Sequence, residues 1–247
     1  MINEKLLKQL IELGLARFRQ PYKPIEFTKN KEADTLLNDL GNHPHAFVLG
    51  CIMDAQIKAE KAWMIPWEIS KEVGGFGFFK LLQIEYKEFK QIFGRKSLHR
   101  FNNEKSRCFY EAIKKINRDY ESDASNIWTY NLRSTIIVDR FMAFRGVGIK
   151  IATMAANILA RDFKIPMKNY LAIDISPDVH IRRVFKRLGF VEWDAKTMSF
   201  VKVARKLYPE YPGIMDGICW EIGRKYCWPN YPLCKNCIVR KECPKII

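Results

Sequence analysis

No stretch of this 247-residue chain approaches the roughly 18–20 consecutive apolar positions that a membrane-crossing helix needs; the longest apolar runs, such as residues 46–53, are far shorter. The opening Met1-Ile2-Asn3-Glu4-Lys5 leads directly into an amphipathic pattern. It lacks the unbroken apolar segment of a secretory leader, so the expectation is an intracellular protein without a membrane partner, and the lack of an N-terminal extension favours a prokaryotic source. Low-complexity segments, internal repeats and long period-two alternation are also missing, which argues against a solenoid and against long half-buried strands. Acidic residues are scarce beside basic ones, 27 against 42, leaving a formal charge of +15. Such an excess favours a polyanionic partner, namely DNA, RNA or an anionic membrane surface, although a coat of surface lysines alone would give the same sum. Apolar residues at 48% and charged residues at 28% exclude wholesale disorder, and the length allows one or two domains.

What is present reads as helix. Residues 4–18 place Leu6, Leu7, Leu10, Ile11 and Leu15 at helical spacing, with Asn3 as N-cap. Residues 19–31 hold Pro21 and Pro24 without a period and read as a connector. Helices follow over 33–40, over 45–71 with an interruption at Pro66, and, after a turn at Gly74, Gly75 and Gly77, over 85–93, 104–119, 131–144 and 149–163. Residues 164–177 read as loop, and 179–188, 195–207 and 213–225 as the last helices. The fold class is therefore all-α.

Seven cysteines in an intracellular chain argue against a disulfide framework. Cys51, Cys108 and Cys219 are dispersed in apolar helical contexts and read as core thiols. The other four form Cys227-x6-Cys234-x2-Cys237-x5-Cys243. Four soft thiolates in one compact loop point to a metal centre. Zinc ribbons pair two distant Cys-x-x-Cys knuckles, whereas this loop has one knuckle and two single cysteines, a spacing that suits a [4Fe–4S] cube. Cys243-Pro244 echoes the Cys-Pro that ends many such loops. A structural role is expected of it.

Residues 137–152 read as a helix ending near Phe144, a turn at Gly146-Val147-Gly148, and a new helix from Ile149. Backbone N–H groups at such a helix start can hold a DNA phosphate without reading sequence, although tight turns take glycine in any case. Lys150 sits on the first turn of the mostly apolar second helix, where a partly desolvated amine can act as a nucleophile; the plain alternative is a phosphate contact. Asp178, before Val179-His180-Ile181-Arg182-Arg183, is placed as a helix N-cap and is also a carboxylate available to stabilise charge on a sugar ring or accept a proton.

Three segments in order resemble the endonuclease III branch of the helix–hairpin–helix DNA glycosylases: Gly146-Val147-Gly148-Ile149-Lys150-Ile151-Ala152, Asp178-Val179-His180-Ile181-Arg182-Arg183-Val184, and Gly223-Arg224-Lys225-Tyr226-Cys227 with the cysteine spacing after it. The resemblance covers about residues 35–247. It implies two helical domains flanking a DNA cleft: a six-helix domain over 35–174, and a cluster domain formed by 1–34 and 175–247. It also implies a monomer acting on double-stranded DNA that carries a damaged base or abasic site. Lys150 would attack C1′ of a flipped-out nucleotide and Asp178 would assist, with strand nicking by β-elimination. Members that only remove bases lack lysine at that position. Gly146, Val147, Gly148, His180 and Arg182 are implied DNA contacts. Gln56, in Asp54-Ala55-Gln56, would fill the gap left by the flipped base, and Phe101 would wedge into the duplex, with His99 and Arg100 as alternatives. The chain departs from the family pattern in four places. Phe144-Arg145 replaces Leu-Pro before the glycine turn. Residues 164–177 look inserted, which raises Asp174 as a rival to Asp178. The loop 228–233 lacks basic residues, so Lys235, Arg240 and Lys241 stand in for them. The match over 43–105 is thin. A glycosylase without lyase activity and a non-catalytic DNA-binding module remain as alternatives.

Overall fold

The computed structural model describes residues 3–245; Met1, Ile2, Ile246 and Ile247 lie outside the described residues, including the first two positions of the opening amphipathic run. Among the described residues there is no strand. The chain forms α1 (Glu4–Arg19), α2 (Lys31–Asn38), α3 (Pro44–Met53), α4 (Ala59–Val73), α5 (Phe78–Gln83), α6 (Tyr86–Lys96), α7 (Asn102–Asp119), α8 (Ser134–Met142), α9 (Ile149–Arg161), α10 (Val179–Arg187), α11 (Thr197–Leu207) and α12 (Asp216–Lys225). Short 3-10 turns occupy Ala124–Ile127, Pro212–Met215 and Cys234–Asn236. The all-α expectation holds, and no described helix is long and apolar enough to cross a membrane.

The chain divides by its internal contacts into two units. One, the hairpin unit, comprises Tyr22–Leu132 and Ile136–Ala155; the other, the cysteine unit, comprises Met1–Pro21, Arg133–Thr135 and Ala156–Ile247. This division runs differently from the boundaries read in the sequence, for local reasons. Residues 22–30 are held by the hairpin unit: Asn38 bonds the backbone of Ile25 through both its amide oxygen (2.8 Å) and nitrogen (2.9 Å), and Phe27 stacks on Trp63 at 4.3 Å. Residues 156–174 are held by the cysteine unit, through Lys164 Nζ to Phe18 O at 2.8 Å, Gly213 N to Ile173 O at 2.7 Å, and Tyr170 stacked on Tyr211 at 4.9 Å. Charge is uneven between the units: the cysteine unit has 22 Lys+Arg against 11 Asp+Glu, the hairpin unit 20 against 16.

The centre of the hairpin unit is α3, every residue of which is buried. The expected interruption at Pro66 is not there. Pro66 lies buried inside α4, and the chain breaks instead at 54–58. The continuous apolar run ends at Met53, Asp54-Ala55-Gln56 begins a polar stretch, and Gln56 adopts φ +59°, which turns the chain before α4. Gly50 lets the two helices close up, since a Cβ there would meet Trp63 Cε3 at 2.6 Å. The glycine turn at 74–77 is present, with Gly74 as a left-handed C-cap, but it is followed by the short α5, which the sequence pattern did not show.

In the cysteine unit α1 packs on the Pro212–Met215 turn and on α12, and α12 packs along α10. Asn3 caps α1 as expected, accepting from Lys5 N and Leu6 N. Buried Arg161 pairs with Asp162 (2.6 Å), which also lies 3.8 Å from Arg17.

Candidate functional site

The turn after α8 is closed by Val147 N donating to Phe144 O at 3.2 Å. Gly146 sits at φ +78°, and a Cβ there would meet Cys108 Sγ at 2.8 Å, so conformation and packing both require glycine. Gly148 differs. It accepts from Ile151 N and Ala152 N as the start of α9, its φ is ordinary, and nothing lies within 4 Å of a Cβ placed on it. Gly146, Gly148, Ile149 and Lys150 are exposed and Val147 is half-buried. The first N–H groups of a helix have no partner within it, so this open end offers amide donors, and the missing Cβ at Gly148 leaves room for a phosphate to approach.

Asp178 is the N-cap of α10. Its Oδ1 accepts from His180 N at 2.9 Å and Ile181 N at 2.8 Å, and the residue is half-buried. The rival Asp174 is 2% exposed and gripped by Arg205 in a two-point fork, Nε–Oδ1 and Nη2–Oδ2 both 2.7 Å. That carboxylate is committed to an ion pair, whereas the Asp178 carboxylate caps a helix. Lys150 belongs to the hairpin unit and Asp178 to the cysteine unit.

His180 and Arg182 are both engaged inside the cysteine unit. His180 Nδ1 lies 3.1 Å from Arg183 Nη2, and its backbone packs against Gly223, where a Cβ would meet His180 Cβ at 2.7 Å. Arg182 Nε donates to Pro177 O at 2.9 Å, and its Nη2 to Thr197 Oγ1.

Within the hairpin unit one helix touches each candidate DNA element. Phe101, 41% exposed, is the residue before α7. Lys105 on α7 is buried and donates from Nζ to Ile52 O at 2.6 Å, just ahead of the exposed Gln56. Cys108 lies beneath Gly146, and Glu104 bonds Arg145 Nε at 3.1 Å. His99 is 2% exposed and bonded on both ring nitrogens, so it is not free to enter a duplex; Arg100 is exposed with its guanidinium 5.3 Å from the Phe101 ring centre. Lys105 was missed in the sequence, although a signal exists: it falls on the apolar stripe of α7 with Cys108, Phe109 and Ala112.

The four clustered cysteines are half-buried and form no disulfide. Arg187 Nη1 approaches Cys227 Sγ at 3.5 Å, and Lys245 N donates to Cys243 Sγ at 3.4 Å. Arg187 also holds Trp228 O and Pro229 O, both at 2.7 Å, and Arg183 Nε holds Cys227 O at 2.6 Å, so α10 fixes the start of this loop. Burial pushes the Cys237 thiol up, and the nearby Cys243, Cys227 and Cys234 push it the same way. Among the described residues no three His, Cys, Asp or Glu side chains are grouped as around a single ion. The donors available here are all sulfur, and N–H groups of Arg187 and Lys245 are directed at two of them, a set whose chemistry suits a thiolate-bound metal centre. Lys235, Arg240 and Lys241 are exposed around the loop.

No family model matches the chain. In sequence it is 32% identical over 108 residues to endonuclease III of Thermotoga maritima, a match spanning 43% of this chain and 45% of that protein, so the chain spans less than half of the curated relative it matches. In structure it resembles a non-covalent endonuclease III–DNA complex (TM-score 0.63, 19% identity) and a trapped endonuclease III–DNA covalent intermediate (0.62, 19%), each over 99% of this chain and 97% of the other. It also resembles a thermostable thymine-DNA glycosylase (0.60, 15% identity, 98% and 96% covered). The chain therefore has the fold of the helix–hairpin–helix glycosylases. In sequence the chain is similar to endonuclease III over 108 residues.

Proposed function

We propose that this protein is a base-excision-repair DNA glycosylase with associated AP lyase activity. It would flip a damaged base out of double-stranded DNA, because chemistry at C1′ cannot reach a stacked nucleotide. Lys150 Nζ forms a bond to C1′ as the glycosidic bond breaks and the base leaves with the electron pair. The sugar ring then opens, C1′–O4′ breaking with a proton passing to O4′, and leaves a Schiff base between Lys150 and C1′; this acidifies the C2′ hydrogen, whose loss as a proton expels the 3′ phosphate and nicks the strand. Asp178 assists by stabilising positive charge on the sugar or accepting the lysine proton. Gly146, Val147 and Gly148 present backbone donors to a phosphate. Cys227, Cys234, Cys237 and Cys243 hold a [4Fe–4S] cluster whose role is to shape the loop rather than to react. The expected partner is duplex DNA with an altered base or abasic site, bound by a monomer inside the cell.

The observation that carries this reading is Lys150, exposed on the first turn of α9 two residues after an open Gly148 whose missing side chain no packing explains. The test is borohydride trapping on duplexes carrying an abasic site or one of a panel of oxidised, deaminated and mismatched bases. A covalent adduct that disappears in Lys150→Ala is expected. An adduct that survives assigns the chemistry to another amine. Base release with no adduct would make the protein a glycosylase without lyase activity, and neither release nor adduct would leave it a binding module.

A further inference from the structure

Two exposed side chains on different loops of the hairpin unit, Gln56 and Phe101, are tied together by one buried ring. His99 Nδ1 lies 3.0 Å from Phe101 N, and Nε2 lies 3.0 Å from Ala55 O. The Phe101 amide can only donate and the Ala55 carbonyl can only accept, so the two contacts together require the neutral ring with its hydrogen on Nε2. Burial pushes His99 below the ordinary histidine range, and the nearby Lys105 and Lys61 cations push it the same way, which favours that neutral form. The His99 backbone is itself fixed, its N–H donating to Asn102 Oδ1 at 2.9 Å at the start of α7. On the other side of the bridge the residue after Ala55 is Gln56 at φ +59°. A non-glycine residue keeps that left-handed conformation only where its surroundings hold it, and such strain collects at working sites. The turn is held at two carbonyls, Ile52 by Lys105 and Ala55 by His99.

We infer that His99 is a positioning residue that sets the Gln56 turn and the Phe101 loop in one register, so that the two exposed side chains engage a duplex as a pair. The inference rests on the DNA-repair reading above. A duplex with an extruded nucleotide has a hole and a broken stack next to it. One side chain fills the hole and the other enters the step, so their spacing has to be set before DNA arrives. A single ring bonded to both loops sets that spacing without touching the DNA.

The test uses the full-length protein with His99→Asn, His99→Gln and His99→Ala. Asparagine keeps an acceptor where Nδ1 was and loses the reach to Ala55; glutamine keeps a donor where Nε2 was and loses the acceptor for Phe101. Two quantities are read. One is the ratio of affinities for a duplex with a tetrahydrofuran abasic analogue and the same duplex undamaged. The other is amide hydrogen exchange over residues 53–58 and 97–103. The expected result is at least a tenfold fall in the ratio for all three variants, with binding to undamaged duplex within about twofold of wild type. Exchange should rise in both segments together, including in the one-sided variants. A ratio unchanged in all three, or exchange rising only on the side each variant has lost, overturns the inference. Should His99→Ala fail to fold, the two conservative variants decide. A wild-type protein that does not prefer the abasic analogue overturns the repair reading instead, and the exchange arm then decides the coupling alone.

Discussion

Replacing Gly146 by alanine should damage the fold, whereas the same change at Gly148 should leave it intact. At Gly146 two penalties add. Holding an L-residue at φ +78° costs about 1–2 kcal/mol. A methyl placed 2.8 Å from Cys108 Sγ overpacks the site, for roughly 1–3 kcal/mol more. The sum is about 3 kcal/mol. The two parts can be separated because Cys108 Sγ is the single atom in serious overlap, with Lys105 Nζ and Cys108 Cβ at 3.7 and 3.8 Å. Cys108→Ala alone should cost about 1 kcal/mol for the lost sulfur contacts. Combined with Gly146→Ala it should return about 1–2 kcal/mol, leaving the backbone part uncorrected. The assay is urea unfolding of the four proteins in a double-mutant cycle; if the two units unfold separately, the shift belongs to the hairpin unit's step. Gly148→Ala meets open space at ordinary φ and should stay within about 0.5 kcal/mol of wild type. If a phosphate approaches there, the same variant should bind duplex DNA about tenfold more weakly, through loss of a charge-assisted contact of about 1.4 kcal/mol. A Gly146→Ala protein as stable as wild type, or no recovery on removing Cys108 Sγ, would refute the argument.

Burial lowers His45 from 6.5 to about 4, with its Nε2 bond to Phe76 O acting the other way. The folded state holds the ring neutral and the unfolded chain takes up a proton below 6.5, so stability is full above about pH 6.5 and falls as pH drops toward 4. Two and a half units correspond to at most about 3 kcal/mol. Tm should therefore fall between pH 7 and 4.5, and His45→Gln should flatten that slope; an unchanged slope sinks the assignment. Cys237→Ser should yield protein with markedly less iron and acid-labile sulfide by elemental analysis and a loop cleaved faster by protease around residues 227–243. Full iron retention would remove Cys237 from the ligand set.

Features of the site that depend on neighbours in sequence were legible, and those that depend on packing were not. Asn3 and Asp178 could be placed as N-caps because a cap bonds amides two or three residues on, within reach of any chain that starts a helix there. The glycine turn before α9 was readable for the same reason. Pro66 misled because a proline ring breaks an isolated helix, while in this fold its position is buried and α4 is carried through it; the true break required knowing that α3 is enclosed on all sides and must end where the polar residues begin. The ion pair that buries the Asp174 carboxylate comes from Arg205, 31 positions away, and could not be read from local sequence. His99 was read as an alternative wedge because it stands beside Phe101, and its bond to Ala55, 44 positions away, leaves no trace in local sequence.

The packing of α1 has a consequence for biosynthesis. Leu6 and Leu10 are completely buried, and Gly14 comes so close to Ile214 O that a Cβ would lie 2.5 Å from it, yet the surface that receives them is built from Pro212–Met215 and α12. On the ribosome this helix is made well before its seat. At about 5–20 residues per second, roughly 200 residues of waiting is about 10–40 s. During that interval a 16-residue amphipathic helix, marginal by itself, shows its leucines to the cell, while the hairpin unit, contained within residues 22–155, can already complete. Mutations that weaken α12 would thus act early in the life of the chain, by prolonging the time α1 is open to chaperones and proteases, as well as on the finished protein.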